Sequence, residues 1–375
     1  MYPRSRMTDP ISDDPVFLDA IAALGVPLLD TLASLEFVQR RLHPPRIAEL
    51  REVLKPRGEA LETAREVFRE VVPKAADPAQ GIAGLCATLE AATVAALRST
   101  ELFCQEGDPA RGGSLILESM RSHAISQERL FGLRRALSPV DRFFLDGPRQ
   151  EQAGRFERAA PGVEAGSAGL FQASNERDAR GGFSLWIPED FAKAPFPLVV
   201  ALHGGSGHGA DFFWTWLREG RSRHCAVLAP TARGATWSFG GPDVDSASLR
   251  AMFEWVCERW PIDRSRVLLT GLSDGATYSL FAGLQEEVPY TALAPVSGVL
   301  HPANFVDGNL DRARGLPIYL VHGALDWMFP VEQARWASEQ LRAAGADLVY
   351  REIEDLSHTY PREENSPILD WFLGN

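Results

Sequence analysis

The chain has 375 residues and a formal net charge of −12, with 45% hydrophobic and 23% charged residues. That length exceeds the need of one compact domain and leaves room for a second, smaller unit. With an acidic balance and no sustained Lys/Arg run, nucleic acid and anionic membrane surfaces are not expected partners. The N-terminus lacks an apolar core followed by a small-residue cleavage site, and no apolar run is expected to reach membrane-spanning length. The four cysteines, Cys86, Cys104, Cys225 and Cys257, have no metal-ligand spacing,. They read as free thiols of a reducing compartment, and a cytoplasmic location is expected.

Residues 1–150 are rich in Leu, Ala, Glu and Arg at helical spacing,. Helices are expected near 16–42, 81–97, 115–123 and 128–137. Two further apolar faces are Ile47, Leu50, Val53 and Leu54, then Leu61, Ala64, Val67 and Phe68. Pro44-Pro45, Pro56-Arg57-Gly58, Pro73, Gly107-Asp108-Pro109 and Gly112-Gly113 punctuate them,. No repeat and no catalytic constellation occurs in this all-helical domain. It reads as a lid, an interaction surface or a dimerisation arm through which the chain would form a homo-oligomer.

The polar stretch Asp146 to Ser167, with 151–164 as its centre, reads as a linker to a second domain over 165–375. There, 170–173 and 183–187 flank a turn-rich segment and predict an opening hairpin. Apolar strands at 198–202, 226–229, 267–270, 291–296, 318–321 and 348–353 alternate with helices near 210–217, 246–260, 276–285 and 331–344. Continuous apolar strands joined by helices predict an α/β fold with a mostly parallel sheet flanked by helices. Ligands of such sheets bind at the carboxyl ends of the strands.

Gly271-Leu272-Ser273-Asp274-Gly275 stands between one of those strands and a helix. A serine on so sharp a turn takes strained backbone angles, and side chains at 271 or 275 would collide with the neighbouring helix and strand. The pattern resembles the nucleophile elbow of α/β-hydrolases, and Ser273 is the expected nucleophile. A serine hydroxyl needs a base, and the base an orienting carboxylate. Asp326 follows the strand 318–321 and His358 follows 348–353, in the order Ser, Asp, His. Asp355 is a rival acid and His301 and His322 are rival bases. His43, His123, His208 and His224 read as structural or exposed.

Leu202-His203-Gly204-Gly205-Ser206-Gly207 follows the strand at 198–202 and reads as an oxyanion loop,. The amides of Gly205 and Asp274 are the expected donors, with Gly204 a weaker alternative. No phosphate-binding glycine pattern accompanies the loop. Aromatic residues crowd the same strand ends. Phe212, Phe213, Trp214 and Trp216 read first as core, and Trp237 and Trp327 are the expected substrate contacts.

Leu-His-Gly-Gly at 202–205, Ile-Asp-Arg-Ser-Arg-Val leading to Gly-Leu-Ser-Asp-Gly at 262–275, and His-Gly-x-x-Asp at 322–326 resemble the phospholipase/carboxylesterase group of α/β-hydrolases. That group is close to polyhydroxybutyrate depolymerase and feruloyl esterase-like enzymes. The resemblance covers roughly residues 165–375. It implies Ser273, Asp326 and His358 as a triad in an ester hydrolase free of metal and cofactor. Asp274 stands where Gln, Ala or Asn is common, and Ala276 where a second glycine is common. The expected activity is hydrolysis of short-chain carboxylic esters through an acyl-enzyme. Thioesterase and feruloyl or polyester esterase activities are alternatives, whereas a dienelactone hydrolase would carry cysteine at 273. An interaction protein built on a catalytically weak hydrolase fold is the reading from another class.

Overall fold

The structure, a computed structural model, describes residues 15–72, 81–106, 109–152, 168–189, 195–239, 242–306 and 308–374. Pro73, Gly107, Asp108 and most of the expected linker, from 153 onward, lie outside the described residues. The chain forms two compact units. One comprises residues up to Val38 together with Ala48–Val140, the other Gln39–Ile47 together with Asp141–Asn375.

The first unit is helical: α1 (Pro15–Arg40, whose last two residues belong to the second unit), α2 (Ile47–Val71), α3 (Gly81–Cys104) and α4 (Pro109–Phe131). Leu24, Leu28, Leu32 and Leu35 of α1 are fully buried along one stripe,. Contrary to the expectation from composition, Leu18–Arg40 is long and apolar enough to cross a membrane by length and composition alone. A core helix meets the same criterion. On α2 the buried positions are Leu50, Leu54, Leu61 and Phe68, whereas Val53 and Val67 are exposed, so the apolar seam is narrower than expected.

The expected breaks at 56–58 and 112–113 are absent, because α2 runs through Pro56 and α4 through both glycines. The two helices expected at 115–123 and 128–137 are one helix ending at Phe131, since Ala124-Ile125-Ser126-Gln127 holds no breaker. Small residues let α3 and α4 approach closely. There the hydroxyls of Ser99 and Ser119 each donate to the other's carbonyl at 2.8 Å.

The second unit holds α5 (Ser138–Phe143, shared with the first unit) and an eight-stranded sheet. Its strands are β1 (Gly169–Ala173), β2 (Phe183–Ile187), β3 (Phe196–Leu202), β4 (Ala226–Pro230), β5 (Ile262–Leu272), β6 (Ala292–Val296), β7 (Pro317–Gly323) and β8 (Asp347–Ile353). They lie in the order β1-β2-β4-β3-β5-β6-β7-β8. The opening hairpin pairs Gly169 with Ile187 and Ala173 with Phe183, and β2 joins β4 antiparallel. All other pairs are parallel.

Helices α6 (Gly209–Ser222), α7 (Val244–Arg259), α8 (Asp274–Gly283), α9 (Ala303–Val306), α10 (Val331–Ala343) and α11 (Asn365–Leu373) join or flank the strands. Every residue of β3, β4 and β6 is buried, as strands covered on both faces must be,. The short apolar run Pro367 to Leu373 gave no helical expectation. It forms α11, and Asn365 Nδ2 at its start donates to Thr215 O of α6 at 2.7 Å. Because six strands run parallel, the loops after β3, β4, β5, β7 and β8 emerge at one edge of the sheet.

Candidate active site

Ser273 stands between β5 and α8 at φ 56° and ψ −117°. A non-glycine residue in this region stores roughly 1–3 kcal/mol of strain, so the surroundings must hold it. Its N–H donates to Val296 O at 3.0 Å, and its carbonyl accepts from Thr277 N at 2.9 Å. The two glycines permit the turn. A Cβ at Gly271 would lie 2.5 Å from Gly275 C, and one at Gly275 would lie 2.4 Å from Leu202 O. Both obstacles are backbone and cannot swing aside.

Three side chains from three loops converge here. His358 Nε2 is 2.9 Å from Ser273 Oγ, and His358 Nδ1 is 2.8 Å from Asp326 Oδ2. Asp326 is buried, and its other oxygen accepts from the N–H groups of Met328 at 3.0 Å and Phe329 at 2.8 Å. Burial alone would raise its pKa. The bonds from His358 and from Phe329 N–H outweigh burial and hold the carboxyl below the usual range,. The carboxylate is therefore charged, and the imidazole nitrogen facing it carries a proton. That leaves Nε2 free to accept the serine proton.

His322, one of the rival bases, lies at the end of β7. It donates from Nε2 to Phe329 O at 2.8 Å, and the same nitrogen is 3.4 Å from Asp326 Oδ2. Burial lowers its pKa, so it stays neutral and packs beside the carboxylate. His301 caps the next loop by accepting from Ala303 N at 3.2 Å. Asp355, the rival acid, faces away to Arg40 at 2.9 Å.

The 203–207 loop lies against the elbow, where a Cβ on Gly204 would be 3.5 Å from Ser273 Cβ. Among the described residues the N–H groups of Gly205 and Asp274 have no hydrogen-bond partner. His203 is locked below the loop. Its Nδ1 donates to Gly204 O at 2.7 Å and its Nε2 accepts from Ala232 N at 3.1 Å. Burial drives its pKa down to about 3, so it is neutral.

Trp237, expected to contact substrate, is only 2% exposed. Its indole N–H donates to His203 O at 2.8 Å, and its ring lies between those of His203 and Tyr278. An indole whose N–H is satisfied inside the core supports the loop and offers no surface to a ligand. Trp327, beside Asp326, is 57% exposed and borders the site with Leu325 and Met328, both also exposed.

Residues 39–47 supply contacts that the sequence did not announce. His43 Nδ1 is 2.9 Å from Ser357 Oγ, and Thr359 Oγ1 donates to Gln39 O at 2.6 Å. Arg40 pairs with both Asp355 and Glu363. Both neighbours of His358 are thus anchored to a segment more than 300 positions away. Only a late contact across the fold could have revealed this.

Residues 249–371 match the phospholipase/carboxylesterase family, a span that includes Ser273, Asp326 and His358. A thermostable esterase of known structure is 21% identical, covering 56% of this chain and 63% of its own, with a TM-score of 0.46. Acyl-protein thioesterase 2 of Zea mays is 17% identical, covering 51% of this chain and 97% of its own, with a TM-score of 0.41. The non-reducing polyketide synthase adrD of Penicillium roqueforti is 22% identical over 193 residues, 47% of this chain but only 7% of that synthase. The second unit has the α/β-hydrolase fold, and its residues 249–371 match the phospholipase/carboxylesterase family model.

Proposed function

We propose that the protein is a serine carboxylesterase. The observation that carries this reading is the continuous line of hydrogen bonds Ser273–His358–Asp326, at 2.9 and 2.8 Å, on a strained elbow. Ser273 Oγ attacks the ester carbonyl carbon while His358 Nε2 takes its proton. Asp326 holds the ring and stabilises the imidazolium. The carbonyl oxygen, now an anion, is received by the N–H groups of Gly205 and Asp274. Collapse expels the alcohol, which takes the proton from Nε2 and leaves an acyl-serine. Water, deprotonated by the same imidazole, then releases the acid and restores Ser273.

Trp327, with Leu325 and Met328, supplies the apolar wall for a short acyl or alcohol group. The four unpaired cysteines fit a reducing, cytoplasmic setting,. The test is labelling of the full chain with a fluorophosphonate together with hydrolysis of p-nitrophenyl butyrate. The reading expects both, and expects Ser273→Ala to lose both. Wild-type protein inert in both assays would refute it. Thioester, feruloyl and polyester substrates run in parallel separate the carboxylesterase from its nearest alternatives.

A further inference from the structure

Asp274 is the residue directly after Ser273, and its carboxylate lies over the oxyanion loop. Oδ2 accepts from Thr236 Oγ1 at 2.5 Å, and a Cβ on Gly205 would lie 2.5 Å from that same oxygen. The carboxylate is therefore wedged between the loop after β3 and the loop after β4, half-buried. Arg180 ties these two loops together through the carbonyls of Gly207 and Gly234. Among the described residues Asp274 has no ion pair. The start of α8 tolerates a negative charge, because the helix dipole is positive there. That accounts for the fold accepting the residue.

Under the esterase reading, on which this inference rests, the two amides receiving the oxyanion belong to Gly205 and to Asp274 itself. The Asp274 carboxylate packs directly on one of those residues and is part of the other. A negative charge so placed opposes the charge that develops on the carbonyl oxygen. A neutral ester meets that opposition in full. An ester carrying a positive charge close to its carbonyl converts it into an attraction, strongest when the oxyanion has formed nearby. We propose that Asp274, held by Thr236, makes this site selective for esters bearing an ammonium group within a few bonds of the carbonyl.

The ammonium can belong to the acyl or the alcohol part, and two isosteric pairs distinguish them. Benzyl alaninate is compared with benzyl isobutyrate at pH 6.5, and butyrylcholine with 3,3-dimethylbutyl butyrate. For a half-buried carboxylate the expected preference in kcat/KM for the cationic member of one pair is about tenfold or more. In Asp274→Asn that preference falls to within about twofold, with neutral-ester hydrolysis raised because the opposing charge is gone. In the wild type, added NaCl weakens the preference by raising KM for the cationic ester alone, a readout that needs no variant. Equal rates within both pairs, a preference that survives Asp274→Asn, or a preference indifferent to salt would overturn the proposal. In each of those cases fluorophosphonate labelling and p-nitrophenyl butyrate hydrolysis would still stand, so the esterase reading survives. Loss of both assays in the wild type would remove the two together.

Discussion

His43 and Ser357 are 314 positions apart, and His43 Nδ1 lies 2.9 Å from Ser357 Oγ. The Ser357 hydroxyl donates onward to Leu325 O at 3.3 Å, so the imidazole nitrogen is the donor to serine,. Leu325 precedes Asp326 and Ser357 precedes His358. One short chain of bonds therefore fixes the loops that carry both side chains. Arg40 adds a second anchor. Burial opposes its charge, but Glu363 and Asp355 more than compensate and raise its pKa.

Loosening these anchors should affect the turnover step more than binding. Arg40→Ala and His43→Ala are each expected to lower kcat about 5- to 50-fold with KM within about twofold, as for a misplaced catalytic group. Steady-state kinetics on a neutral ester, paired with the rate of fluorophosphonate labelling, checks it. A change confined to KM would show that the segment does not position His358.

The two candidate acids separate cleanly. Asp326 meets His358 at 2.8 Å, whereas Asp355 meets Arg40 at 2.9 Å. Asp326→Asn should reduce kcat by about 10³–10⁴-fold, the scale set by loss of the correct tautomer. Asp355→Asn should cost less than about tenfold, because it only weakens an exposed anchor.

Enlarging the elbow should be costly for stability as well as reactivity. In Gly275→Ala the new methyl would have to occupy a place 2.4 Å from Leu202 O. The backbone of β3 must move, at about 2–4 kcal/mol. Chemical denaturation gives the loss, and labelling of the residual folded fraction reports whether Ser273 is still presented. A variant as stable as wild type and equally reactive would show that the turn is less constrained than its geometry requires.

Acid should destabilise the second unit well above the pH at which its carboxylates titrate. Burial lowers the pKa of His203 to about 3, and burial also lowers those of His208 and His322. Between the unfolded histidine value and these folded values the unfolded chain binds more protons, so stability falls as pH falls. His203 alone should contribute roughly 3 kcal/mol of loss between pH 6.5 and 4. Glu219 acts in the opposite sense. Burial raises its pKa, so its contribution is retained in acid and lost as pH rises through its folded value. All nine tryptophans lie in the second unit, so urea titrations followed by tryptophan fluorescence at pH 7, 6, 5 and 4 report on it alone. A midpoint independent of pH over that range would contradict the account.

Much of the second unit could be read along the chain. Runs such as Pro197 to Leu202 are apolar throughout because both faces of their strands are covered,. The glycines at 271 and 275 mark a turn whose sterics are local, and the observed contacts at Leu202 O and Gly275 C are the collisions those glycines avoid. The helical unit was harder to read. Pro56 and the pair Gly112-Gly113 break helices by local propensity, yet α2 and α4 pass through them. Burial of Leu54, Leu61 and Phe68 on one face of α2 outweighs the hydrogen bond lost at proline,.

Local chemistry thus determined which residues could form the strands, the strained turn and the order Ser273, Asp326, His358 along the chain. Only tertiary packing decided which aromatic ring would be consumed by the core, as Trp237 was, and which would remain exposed, as Trp327 did. It also decided that residues 39–47 would hold the His358 loop, and that the Asp274 carboxylate would turn toward Thr236 over Gly205. These depend on which surfaces meet after hundreds of intervening residues have folded, and neither periodicity nor spacing encodes that meeting.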